Sequence, residues 1–111
     1  METSTSLQND VTVVSVKGSI DALTAEIVTQ ALLEQVQAGV TQLVADLSEV
    51  DYTSSAGLRS ILGALKEIRQ NGGDLRLACL QPGVLKVLKL SGFTSIFKTY
   101  DDAAAAVASF R

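Results

Sequence analysis

Short runs of β-branched and other apolar residues alternate along this chain with longer stretches whose apolar side chains recur at helical spacing. That alternation is the strongest constraint on the fold, because parallel strands must be joined by long crossovers, usually helices that cover the sheet. The pattern is clearest in the middle. Residues 42–47, Gln-Leu-Val-Ala-Asp-Leu, form a short apolar run suited to a buried strand. Leu58, Ile61, Leu62, Leu65 and Ile68 then recur at three- and four-residue intervals, so a helix is expected over residues 54–71, closed by Gly72-Gly73.

The flanking segments repeat the theme. Residues 5–8 and the β-branched run 11–16 lie on either side of Asn9-Asp10, a turn pair, and predict a hairpin. Residues 24–38 place Ile27, Val28, Ala31, Leu32 and Val36 on one helical stripe, with Thr24 as N-cap and Gly39 as stop. Residues 74–80 read as a strand, and Pro82 opens a helix with the apolar set Val84, Val87, Leu88 and Leu90, closed by Ser91-Gly92. A short strand over residues 96–100 and a helix over residues 103–110, begun by Asp101-Asp102, complete the chain. The expected fold is α/β, with a mostly parallel mixed sheet, an antiparallel first strand and about four helices. At 111 residues, 47% hydrophobic and 19% charged, the chain fits one domain spanning residues 1–111.

Composition excludes several functions. Net charge is −3 and the nine basic residues are scattered singly, so no nucleic-acid partner is expected. One cysteine, Cys79, permits no internal disulfide and reads as a small buried hydrophobe. The first residues lack a secretory signal and no apolar stretch reaches the length of a membrane span, which predicts a cytoplasmic protein without direct membrane insertion. Nor is an enzyme expected: there is no histidine to act as general base, no Gly-x-Ser-x-Gly around Ser54 or Ser55, and no lysine three residues after either. Asp46, Glu49 and Asp51 read as a strand end and a solvated loop rather than a metal site, and Gly72-Gly73 lacks a phosphate-loop lysine. No cofactor is expected.

What remains is the joint Thr53-Ser54-Ser55 between strand and helix. A helix start leaves backbone N–H groups unpaired and carries partial positive charge, so it tolerates an anion. With Ser54 as N-cap, Ser55 is the first helical residue, open to a kinase. Phosphate there would add about −1.5 to −2 charge, and a penalty of only about 2.8 kcal/mol weakens a partner's binding about a hundredfold. Arg59, four residues on, shares the face and would either screen the phosphate or hold the partner. On residues alone the plainer reading, a helix cap with a serine beside it, is favoured.

A resemblance shifts that balance. Gly18-Ser19-Ile20-Asp21 with Thr24-Ala25-Glu26, then Asp46-Leu47-Ser48 and Val50, Ser54-Ser55-Ala56-Gly57-Leu58-Arg59, Gly72-Gly73, Pro82 and Val84, Ser91-Gly92-Phe93 and Ile96-Phe97 fall in one order. That ordered set resembles the STAS domains of bacterial anti-sigma factor antagonists. The resemblance implies a partner switch: the unmodified protein binds an anti-sigma factor that is also a serine kinase, phosphorylation releases it, and a serine phosphatase resets the cycle. It assigns the phospho-acceptor to Ser55 and sets Asp21, Ser54, Gly57, Leu58 and Arg59 in or beside the partner-binding surface. Many members carry Asp where this chain has Ser54, which makes Ser54 a rival acceptor. Two other readings remain open: a constitutive subunit of a membrane transport complex or signalling scaffold without a phosphate cycle, and a small-ligand or nucleotide-binding domain at the crevice of an open α/β sheet.

Overall fold

A computed structural model describes all residues, 1–111. Five strands and four helices follow in the order β1 (Glu2–Gln8), β2 (Val11–Lys17), α1 (Ala25–Gln37), β3 (Gln42–Glu49), α2 (Ser55–Gln70), β4 (Asp74–Ala78), α3 (Pro82–Leu90), β5 (Thr99–Tyr100) and α4 (Ala103–Ala108). The sheet runs β1-β2-β3-β4-β5, with β1 antiparallel to β2 and every other pair parallel. The expected architecture is therefore the one found. Asn9 and Asp10 both take positive φ, 50° and 67°, as a tight two-residue hairpin turn requires.

Alternation along the strands divides the core. Val14, Val16, Leu43, Ala45, Leu47, Leu75 and Leu77 face one way, into a cluster shared with Val28 and Leu32 of α1, Leu58, Ile61, Leu65 and Ile68 of α2, and Val84 and Leu88 of α3. Val11, Val13, Val44 and Ala78 face the other way, under Ala106 and Val107 of α4. Full burial of each large aliphatic side chain contributes roughly 1.5–3 kcal/mol, so the five-residue apolar face of α2 is the largest helical contribution to the main cluster. Two arginines anchor the far side: Asp74 pairs with Arg69 (2.9 Å) and Arg76 (3.0 Å), and Arg76 lies over the Phe110 ring at 3.9 Å.

Several boundaries and side chains differ from the sequence reading. β1 begins at Glu2 rather than residue 5, and all seven of its residues are exposed, which is why it shows no apolar alternation. β4 ends at Ala78, two residues early, because Cys79 turns to φ 61°. Cys79 is only partly buried; its surroundings and the nearby Asp46 carboxylate raise its thiol pKa. The strand expected over residues 96–100 shrinks to Thr99–Tyr100, since Ile96 and Phe97 instead donate their N–H groups to the Phe93 carbonyl in a turn. Ile27 and Leu90, assigned to buried helix faces, are 48% and 78% exposed. Each sits at the margin of its apolar stripe, where helical periodicity alone does not fix which side of the core boundary it falls on. No helix is long and apolar enough to cross a membrane.

Candidate functional site

The loops after β2 and β3 leave the sheet together and stay paired. Gly18 N–H donates to the Glu49 carbonyl (3.1 Å), Ile20 N–H to the Tyr52 carbonyl (2.8 Å), and Ser54 N–H to the Ile20 carbonyl (2.8 Å). Ile20 and Thr53 form an isolated parallel bridge, both fully buried. The Thr53 hydroxyl donates to the Ser54 carbonyl at 3.1 Å, and Ser19 Oγ donates to Asp51 Oδ1 at 2.9 Å. Two segments more than thirty residues apart in sequence thus form one rigid rim.

From that rim α2 begins. Ser54 is extended (φ −85°, ψ 161°) and its Oγ accepts from Gly57 N–H at 3.0 Å, the N-cap geometry expected from the sequence. Ser54 is half-buried and its hydroxyl is engaged; Ser55, the first helical residue, is exposed. The N–H groups of Ser55 and Ala56 have no acceptor within the chain, so two donors at the positive end of the helix point to solvent beside the Ser55 hydroxyl. Ser91, the residue that closes α3, donates its hydroxyl to Ser55 Oγ at 3.3 Å. Arg59 is exposed one turn along α2 and forms no ion pair.

Asp21 belongs to the same rim but works locally. Its Oδ1 accepts from Leu23 N–H (2.9 Å) and Thr24 N–H (3.0 Å), while the Thr24 hydroxyl reaches back over the turn, donating to the Ser19 carbonyl (2.7 Å), accepting from Asp21 N–H (3.0 Å) and lying 3.2 Å from Asp21 Oδ1. Thr24 occupies the N-cap position of α1 yet makes no side-chain cap, which corrects the assignment made from sequence; Asp21 closes the turn before the helix, its backbone carbonyl accepting the Ala25 N–H (2.9 Å). The Thr24 and Leu23 N–H groups favour the carboxylate and lower the Asp21 pKa.

The expected residues converge, with a division of labour. Asp21, Ser54, Ser55 and Arg59 lie at the surface, whereas Gly57 and Leu58 are buried beneath it. A methyl group on Gly57 would sit 2.7 Å from Ile20 Cγ2 and 3.1 Å from Thr53 Oγ1, so glycine there lets the helix start press against the rim. Sequence reasoning missed Ser91 as a neighbour of Ser55 and Ser19 as a partner of Asp51; neither pair has a local signature. It also missed the exposed Tyr52 and Leu90, which precede Thr53 and Ser91 and leave apolar surface around the rim. One Ser-x-x-Lys spacing does occur, at Ser95 and Lys98, but both are exposed and no hydrogen bond joins them.

The fold has clear counterparts among known proteins. Residues 3–106 match the STAS domain family, and the chain belongs to it. Several relatives are named as bacterial anti-sigma factor antagonists. BtrV of Bordetella bronchiseptica, provisionally named as one, is 41% identical over 95 residues, covering 86% of this chain and 82% of BtrV. The anti-sigma-B factor antagonist of Listeria monocytogenes is 37% identical over 84 residues, covering 75% and 73%. The crystal structure of an anti-sigma factor antagonist from Mycobacterium paratuberculosis superposes with a TM-score of 0.88 at 28% identity, over 97% of this chain and 92% of that one.

Proposed function

We propose that this chain is an anti-sigma factor antagonist that works by partner switching in the cytoplasm. Unmodified, it binds a serine-kinase anti-sigma factor through the rim of Asp21, Ser54, Ser55 and Arg59; phosphate on Ser55 ends that binding, and a serine phosphatase restores it. The observation that carries this reading is the contrast between two adjacent serines. Ser54 Oγ is held in the cap by Gly57 N–H, while Ser55 is exposed beside two free amide donors, its Oγ accepting only the surface hydroxyl of Ser91. A kinase reaches the second without uncapping the helix. The names of the relatives support the antagonist role, and the free donors support a phosphate that leaves the fold undisturbed, favoured locally by roughly 0.3–1 kcal/mol.

Binding changes because charge changes. About −1.5 to −2 units placed on one patch must be desolvated or matched by any partner that covers it. The test is to incubate the purified protein with a kinase-type anti-sigma factor and ATP and to locate the added phosphate by peptide mass spectrometry. Phosphate on Ser55 is expected; phosphate on Ser54 alone, or on neither, overturns the assignment.

A further inference from the structure

The outer edge of the sheet is β1, whose length is exposed from Glu2 to Gln8. Its hairpin turn fixes which backbone groups point where. Across a two-residue turn the flanking residues exchange both hydrogen bonds, so Gln8 and Val11 are a bonded pair, and bonded pairs recur every second residue at Ser6 and Val13, Ser4 and Ser15, and Glu2 and Lys17. Thr3, Thr5 and Leu7 therefore turn their N–H and C=O groups outward. Natural sheet edges are usually blunted by lysine, proline, a bulge or a covering loop. Residues 2–8 contain no lysine and no proline, and their register against β2 is unbroken.

We propose that β1 pairs antiparallel with β1 of a second copy of this chain, about a two-fold axis through Thr5, to give a dimer with one continuous sheet. Matching the outward groups of the two strands sets Thr3 opposite Leu7 of the second copy and Thr5 opposite Thr5, with up to about six hydrogen bonds. The same register sets Ser4 opposite Ser6 and Glu2 opposite Gln8, so no like charges meet. The edge is self-complementary in hydrogen bonding and brings no like charges together.

Side chains on one face supply a second, independent argument. Val14 and Val16 face α1, so their partners Thr5 and Thr3, and Leu7 with them, lie on that face. Leu7 is 72% exposed. Between Thr3 and α1 runs a groove of about 430 Å³ whose apolar lining is Leu23, Ile27 and Ala31, with Leu23 87% exposed, and whose polar lining is Glu26, Gln30 and Glu34. The two-fold pairing brings Leu7 of the second copy opposite Thr3, at the mouth of this groove, and repeats the contact reciprocally. An isologous interface of this kind closes on itself and stops at two copies.

Sedimentation of the full chain from about 1 to 500 µM, the range in which a modest interface populates, tests this. The mass is expected to rise from 11.7 kDa towards twice that value. Thr5→Lys and Thr5→Glu each set like charges on the axis and are expected to stay monomeric, with melting temperatures close to that of the parent; an equimolar mixture of the two is expected to recover the dimer. Amide exchange reads the register directly: Thr3, Thr5 and Leu7 slow as concentration rises, and Ser4 and Ser6 do not change. A chain that stays monomeric throughout, a dimer indifferent to Thr5→Lys, or a mixture that fails to recover overturns the pairing. None of these outcomes bears on Ser55.

Discussion

Gly57 lies against Ile20 so closely that a single added methyl would stand 2.7 Å from Ile20 Cγ2. The start of α2 and the loop after β2 therefore behave as one packed unit, with Thr53 between them. Gly57→Ala is expected to force that joint apart, at a cost of about 1–3 kcal/mol. Chemical denaturation measures the loss, and weaker binding of the anti-sigma factor should accompany it because the rim moves.

Ser55→Ala removes an exposed hydroxyl and the 3.3 Å hydrogen bond it accepts from Ser91 at the surface. Stability should change by less than about 0.5 kcal/mol, and binding to the kinase-type anti-sigma factor should persist in the presence of ATP, where the parent protein loses it. Ser55→Asp carries one charge where a phosphate carries nearly two, so calorimetry should place its affinity between the unmodified and the phosphorylated forms.

At the neighbouring position the two substitutions separate capping from chemistry. Ser54→Ala loses the acceptor for Gly57 N–H and should cost about 1 kcal/mol, seen as a melting temperature lower by roughly 4–8 °C. Ser54→Asp keeps a cap of equal quality and should melt near the parent. Phosphorylation of Ser55 should survive in the Asp variant.

Arg59 touches no carboxylate, so Arg59→Ala should leave the melting temperature unchanged. A change in partner affinity without a change in stability would assign the guanidinium to the interface. Unchanged affinity for both the unmodified and the phosphorylated protein would remove it from the proposal.

For Asp21 the pH dependence has a defined sign. The Thr24 and Leu23 N–H groups hold its folded pKa below the unfolded value, so its contribution to stability is present above an ordinary aspartate pKa of about 3.9 and is lost as pH falls through the folded pKa. A carboxyl NMR titration should find the Asp21 midpoint below that ordinary value. Asp21→Asn keeps an oxygen acceptor but does not titrate, and it should remove this residue's share of the acid loss.

Much of this molecule is legible in its residues because the relevant signals are local. The Ser54 cap, the two-residue turn at Asn9-Asp10 and the five-residue apolar face of α2 each depend on spacing within a few positions. Failures occur where neighbours distant in sequence decide the outcome. Cys79 leaves the strand at positive φ while its N–H still donates to the carbonyl of Tyr100, on a different strand. The Ser91 to Ser55 bond spans 36 positions, beyond any periodic pattern.

The strand order has a consequence for biogenesis. Since each strand lies beside the one made just before it, a ribosome can release the hairpin, then each helix-and-strand unit, onto a surface already present. Each parallel addition closes a single helical crossover, so no strand waits for a partner further along the chain. The loops after β2 and β3 precede Thr99–Tyr100 in the chain, so the hydroxyl-bearing segments leave the exit tunnel before the closing edge does.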